Sequence, residues 1–186
     1  MDYDIVIIGG GPAGLSFACS MLNQNIKLLL VERSSIESIS KPQQDGREIA
    51  LTHQSRKILY ELGVWSLIDE DEVSLLKEAK VYSGSSNSLL DFDAEKSSIE
   101  ALGYLVPNYL IRKALYERVS QANNIDIMTG ISVNDVNTSN SVAEVALSDG
   151  KTIKTRLIVA ADSRFSEIRR KMGIPSLMKD FSKVMI

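Results

Sequence analysis

The chain opens with a near-continuous apolar run, Tyr3–Ile8 (YDIVII), that stops at three consecutive glycines, Gly9, Gly10 and Gly11. An apolar run without alternation is the pattern of a central parallel strand covered on both faces. From Pro12 to about Leu22 the spacing becomes helical, with Leu15, Phe17, Ala18, Met21 and Leu22 recurring. Pro12 suits the first helical turn, where its missing N–H costs little. Lys27–Val31 (KLLLV) then predicts a second buried strand ending at Glu32 and Arg33. Strand, helix and strand together make a βαβ unit, which sets a parallel sheet.

After Arg33 the polar stretch Ser34–Glu48 has neither period and is expected to be a long loop of functional use. Leu51, Ile58, Leu59 and Leu62 predict a helix over Leu51–Leu62, closed by Gly63. Glu78–Ser83 and Ser88–Phe92, flanking the turn Gly84–Asn87, predict a hairpin outside the parallel sheet. Gly103–Val106 is expected to be a strand, and Pro107–Asn123 an amphipathic helix with Leu110, Ile111, Ala114, Leu115 and Val119 on one face. Strands are expected over Asp126–Val136, Val142–Leu147 and Lys151–Thr155, the last two joined through Ser148-Asp149-Gly150. Arg156–Ala160 (RLIVA) predicts another buried strand, followed by a short helix near Ser166–Met172. Val184, Met185 and Ile186 have no turn or cap after them, so the chain reads as the front part of a longer one.

Composition narrows the function classes. The 186 residues are 44% hydrophobic with a net charge of −3, which fits a globular domain and lacks the basic footprint of a nucleic-acid binder. The acidic start Met1-Asp2-Tyr3-Asp4 does not resemble a secretory or transit signal. The long uncharged run from Ile5 to Ile26 is broken by glycines, Pro12 and Asn23–Asn25, which argues against a membrane span. A single cysteine, Cys19, allows no internal disulfide and no thiolate metal cluster, so a reducing, cytoplasmic setting is expected. Cys19 reads as a packing residue and His53, the one histidine, as an ordinary helix residue without catalytic partners.

The chemical signal is Gly9-Gly10-Gly11-Pro12-Ala13-Gly14, a G-x-G-x-x-G directly after a strand and at the mouth of a helix. Gly9 permits a tight turn, Gly11 lets a pyrophosphate approach the backbone, and Gly14 allows close helix–strand packing. The helix N-terminus adds free N–H groups and a positive dipole. Glu32, at the end of the next strand, can accept from both hydroxyls of an adenosine ribose and repels a 2′-phosphate. Leu15 stands where a triphosphate-binding P-loop needs lysine. The motif alone leaves FAD and NAD both open, but a turn away from further βαβ units into antiparallel structure favours a flavoprotein.

Longer blocks carry a family resemblance. YDIVIIGGGPAGLSFA at Tyr3–Ala18, LLLVER at Leu28–Arg33, DGREIALTHQSRKILYELGVW at Asp45–Trp65, ALGYLVPNYLIRKAL at Ala101–Leu115 and LIVAADSRFSEIRRKMGI at Leu157–Ile174 resemble the class A flavoprotein monooxygenases of the p-hydroxybenzoate hydroxylase type, especially the ubiquinone-biosynthesis hydroxylases. The first block is common to many flavoproteins; Arg47–Trp65 and the last block are more specific.

The resemblance implies an α/β fold: a Rossmann-like FAD-binding domain with a parallel sheet and an antiparallel β-meander, built from residues 1–72 and 107–186. Residues 73–106 would belong to a β-rich substrate domain. It implies that Gly9, Gly11 and Gly14 hold the FAD pyrophosphate and Glu32 the adenosine ribose, with Pro12, Ala13 and Arg33 also in the cofactor site. Arg47 would contact the flavin nucleotide, Asn108 the ribityl chain or pyrophosphate, and Val133 the adenine edge. Asp162 matches the acid of the family's second dinucleotide motif, although Ser163 stands where that motif has glycine.

Plainer readings compete: Arg47 as a solvated charge, Asp162 as a helix cap, and Arg169 and Arg170 as a solvated helix face. The implied chemistry is reduction of FAD by NAD(P)H and oxygen-dependent hydroxylation of an aromatic ring, with no side chain serving as nucleophile. A polyprenylated quinone precursor as substrate would favour association with the inner face of a membrane or with a biosynthetic complex. Rivals are another flavoprotein of the same fold, a reductase or halogenase, and a non-catalytic nucleotide-binding module.

Overall fold

The structure, a computed structural model, describes residues 1–82 and 89–182. The turn expected at Gly84–Asn87 and the terminal Val184–Ile186 lie outside the described residues. Strand β1 (Tyr3–Ile8), helix α1 (Pro12–Ser20) and strand β2 (Leu28–Glu32) form the expected βαβ unit. Helix α1 stops short of Leu22 because Met21 and Leu22 donate three residues back, to Ala18 and Cys19, in a tightened last turn.

The polar stretch after β2 is not all loop. It contains α2 (Ile36–Ser40), started by Ser35, whose hydroxyl accepts from the Ser38 N–H at 3.3 Å. Five residues are too few to display a helical period. Leu51, expected to begin a helix, instead ends β3 (Glu48–Leu51); α3 (His53–Glu61) starts at the Thr52 cap, which accepts from Ser55 N–H at 3.1 Å. The short strand β4 (Ser74–Leu76) carries no legible pattern. β5 (Glu78–Tyr82) and β6 (Leu89–Asp93) pair antiparallel as expected. β7 (Gly103–Pro107) leads into α4 (Asn108–Ser120), with Pro107 as its cap.

Two expectations fail in the C-terminal half. Asp126–Val136 is not one strand but two, β8 (Ile125–Thr129) and β9 (Val133–Thr138), parted at Gly130, whose φ of 68° breaks an extended run. Beyond β10 (Ala143–Leu147), the two strands expected over Lys151–Thr155 and Arg156–Ala160 are a single nine-residue strand, β11 (Thr152–Ala160). Its first half pairs antiparallel with β10 and its second half runs parallel to β1. Among the described residues the last element is α5 (Glu167–Lys171).

The main sheet has the order β8-β2-β1-β11-β10-β9, with its first four strands parallel. The period of two assigns its faces. Ile7, Leu28 and Leu30 pack against Leu15, Ala18 and Cys19 of α1 and Ile111, Ala114 and Leu115 of α4. Val6, Ile8, Leu29 and Val31 pack on the other side with Val136, Val145, Leu147 and Ile153 of the meander and Ile168 of α5. A separate antiparallel sheet, β3-β7-β4, joins residues 48–51 to residues 103–107.

Candidate functional site

Parallel strands ending together create the site. Ile8 is level with Val31 and with Ala160, and Glu32 with Thr129, so the segments after β1, β2, β8 and β11 emerge at one edge. Helices α1 and α4 bring their N-termini there too. Cys19 Sγ, seven residues into α1 from Pro12, faces the Leu115 carbonyl, seven residues into α4 from Asn108, at 3.9 Å. Just past α4, the Asn124 amide donates to the Met21 and Ile26 carbonyls just past α1. The two helices therefore run parallel and level, with two positive dipole ends side by side. The carboxyl edge of a parallel sheet flanked by helix N-termini is where open α/β folds bind ligands.

The glycine loop has the shape its sequence implies. A Cβ on Gly14 would strike the Gly9 carbonyl oxygen, and one on Gly9, at φ 111°, would strike the Ala161 carbonyl oxygen. At Gly11 a Cβ would meet nothing within 4 Å. Two glycines are thus required by packing, whereas the third keeps a cleared approach to the backbone at the start of α1. That clearing, beside first-turn N–H groups without intrahelical partners, fits a pyrophosphate. Glu32 is tied into the same loop: one carboxylate oxygen accepts from Gly10 N–H at 2.6 Å, the other from Ser34 N–H at 2.7 Å. Burial works against its charge, but these two bonds and the neighbouring Arg33 outweigh it and hold the carboxyl below its usual range. An ionised carboxylate offers about four acceptor positions, so two remain for ribose hydroxyls.

Arg47 and Asn108, 61 positions apart in sequence, are brought together through β3 and β7. Asn108 N–H, at the first position of α4, donates to the Arg47 carbonyl at 2.9 Å. Between their side chains stands Asp45, a residue the sequence reading did not single out. Its Oδ2 accepts from Arg47 Nε at 2.8 Å, from Arg47 Nη2, and from Asn108 Nδ2 at 3.0 Å. Asp-Gly before Arg47 was an available turn signal: Gly46, at φ 69°, reverses the chain so that Arg47 N–H also reaches Asp45 Oδ1. The Arg47 side-chain bond is the main reason the Asp45 carboxyl lies at about 2, despite some desolvation, with the Asn108 bond assisting.

Asp162 follows β11 on the same edge, but its carboxylate is already engaged. Ser166 Oγ donates to Oδ1, and Ile168 N–H donates to Oδ2 at 3.1 Å, which makes Asp162 a partner in starting α5. Ser163 takes φ 89°, the left-handed conformation that glycine adopts without strain. Arg33 is exposed at the end of β2. Val133, half-buried, begins β9 two residues after Ile131, whose N–H donates to the Glu32 carbonyl at 3.2 Å. His53 stands apart, with Nε2 3.0 Å from the Ala101 carbonyl. Burial pushes the Cys19 thiol up to about 11, so it is a packing group. A cavity of about 990 Å³ opens along the second half of β11, beside Ser163 and Arg164, and does not include the glycine loop, Glu32 or Arg47.

Comparison with known proteins agrees with this geometry. The FAD binding domain family matches residues 2–186. The chain is 47% identical over 189 aligned positions to the ubiquinone hydroxylase UbiM of Neisseria meningitidis, covering all of this chain and 41% of that protein. It is 23% identical to the 3-demethoxyubiquinol 3-hydroxylase of Escherichia coli, covering 92% of this chain and 44% of that one. Among solved structures, pqsL from Pseudomonas aeruginosa, described as a probable FAD-dependent monooxygenase, superimposes with a TM-score of 0.73 at 20% identity, over 95% of this chain and 46% of that one. The chain thus spans about two fifths of the length of the curated relatives it matches.

Proposed function

The chain belongs to the FAD binding domain family, and on that premise we propose that it is the cofactor-holding part of a flavin-dependent monooxygenase that hydroxylates the aromatic ring of a ubiquinone precursor, with NAD(P)H and O2 as co-substrates. The observation that carries this reading is the cleared approach at Gly11, set between the α1 N-terminus and the loop-bonded Glu32. The 47% identity to a protein named a ubiquinone hydroxylase supports the substrate class. When bound, FAD would supply the redox chemistry that side chains cannot.

The protein's task is binding and orientation. In this reading Gly9, Gly11, Pro12, Ala13 and Gly14 cradle the pyrophosphate, Glu32 and Arg33 meet the adenosine ribose, and Val133 borders the adenine. Arg47 and Asn108 approach the flavin nucleotide, and Asp162 offers the lone pairs its capping bonds leave. Residues 73–106, with β4 and the β5–β6 hairpin outside the main sheet, would contribute to a substrate domain. A polyprenylated substrate would favour peripheral membrane association or a biosynthetic complex. Among the described residues no helix is long and apolar enough to cross a membrane.

The test is the visible spectrum of the purified protein, with chromatographic identification of released flavin, followed by NAD(P)H oxidation and product analysis with candidate phenols. Replacing Glu32 by alanine removes charge-assisted hydrogen bonds worth about 1.5–3 kcal/mol each. Glu32→Ala is expected to weaken FAD retention by about ten- to a hundredfold. Unchanged retention would remove Glu32 from the site.

A further inference from the structure

We infer that Asp45 is a positioning residue for the dinucleotide: its carboxylate clamps the Arg47 guanidinium to the Asn108 amide at the start of α4, so that the free edge of Arg47 is held ready for an anionic phosphate oxygen. The inference rests on the FAD-binding reading above.

Three observations support it. Arg47 is two-thirds exposed, and a free arginine side chain carries rotamer entropy that a ligand would have to remove. The clamp removes it beforehand, using two of the five N–H donors and leaving three. Asn108 is 6% exposed, which anchors the other end of the clamp in the packed body of the protein. Finally, α1 and α4 lie parallel and level, so a group held at the start of α4 is held beside the helix that begins at the glycine loop.

An acid placed next to a phosphate site would by itself repel the ligand. Here the guanidinium neutralises it, so the net effect of Asp45 is orientation, which is the source of affinity in a preorganised site. The alternative is competition, in which Asp45 occupies Arg47 until a ligand displaces it. The two predict opposite signs.

The experiment titrates the full chain by calorimetry with FAD, ADP and adenosine. Asp45→Ala is expected to weaken FAD and ADP by about tenfold and to leave adenosine unchanged, since adenosine carries no phosphate. Asp45→Asn, which keeps an acceptor oxygen, should recover most of the loss. In an Arg47→Ala background, Asp45→Ala should cost much less than it does alone, because the residue it positions is gone. Tighter FAD binding by Asp45→Ala would overturn the inference in favour of competition; unchanged affinity, or independent, multiplying losses, would overturn it without favouring competition. Gly11→Val separates the two levels: if it abolishes FAD binding while Asp45→Ala has no effect, the cofactor site stands and the clamp falls. If the unaltered protein binds neither FAD nor ADP, both fall. Asp45 is exposed, and unchanged circular dichroism would confirm that its variants fold.

Discussion

At the scale of single residues, Ser163 is where sequence and backbone conflict. The resemblance placed a glycine there, and the structure shows why: φ is 89°, beyond the region a residue with a Cβ adopts freely. Ser163→Gly is therefore expected to stabilise the fold by about 1 kcal/mol. For a chain of this size that raises the thermal midpoint by roughly 2–4 °C. A midpoint that stays or falls would mean the serine hydroxyl contributes more than the strain costs. Glu32 and Gly11 were legible because their motif dictates both residue type and spacing. Asp45 was not, because its partners Arg47 and Asn108 meet only after β3 pairs with β7.

At the scale of elements, the caps decided what periodicity could not. Apolar spacing extended the third helix back to Leu51, yet the Thr52 hydroxyl accepts from Ser55 N–H and starts α3 there, leaving Leu51 in a strand. Thr52→Ala should destabilise the protein by about 1 kcal/mol, read from chemical denaturation. No measurable change would show that another group satisfies the first turn. Gly130 acts similarly between β8 and β9: eleven residues with one strand-like composition become two strands because the chain turns left-handed in the middle. The glycine was visible as an interruption, but its meaning depended on where the next strand could pair.

For the whole molecule, the parallel packing of α1 on α4 joins the core to the site. Cys19 lies in that interface, 4% exposed, and burial pushes its thiol up to about 11. At pH 8 the folded protein should resist a thiol-specific disulfide reagent and become reactive through the same denaturant range in which the fold is lost. Rapid labelling of folded protein would mean that the two helices separate and that their N-termini are not held level.

The sequence by itself determined the first βαβ unit, the faces of its strands and the chemistry of the glycine loop, because each rests on contacts within a few residues or on a period repeated along one element. Only the tertiary structure decided the rest. It placed β8 and β9 at opposite edges of one sheet and fused two apparent strands into β11, since strand partners are set by the competition for a shared hydrogen-bonding edge. It brought Asp45, Arg47 and Asn108 into one cluster through a sheet that joins distant segments. A short motif can specify which groups meet a phosphate from one loop. Which groups arrive from elsewhere is settled by packing.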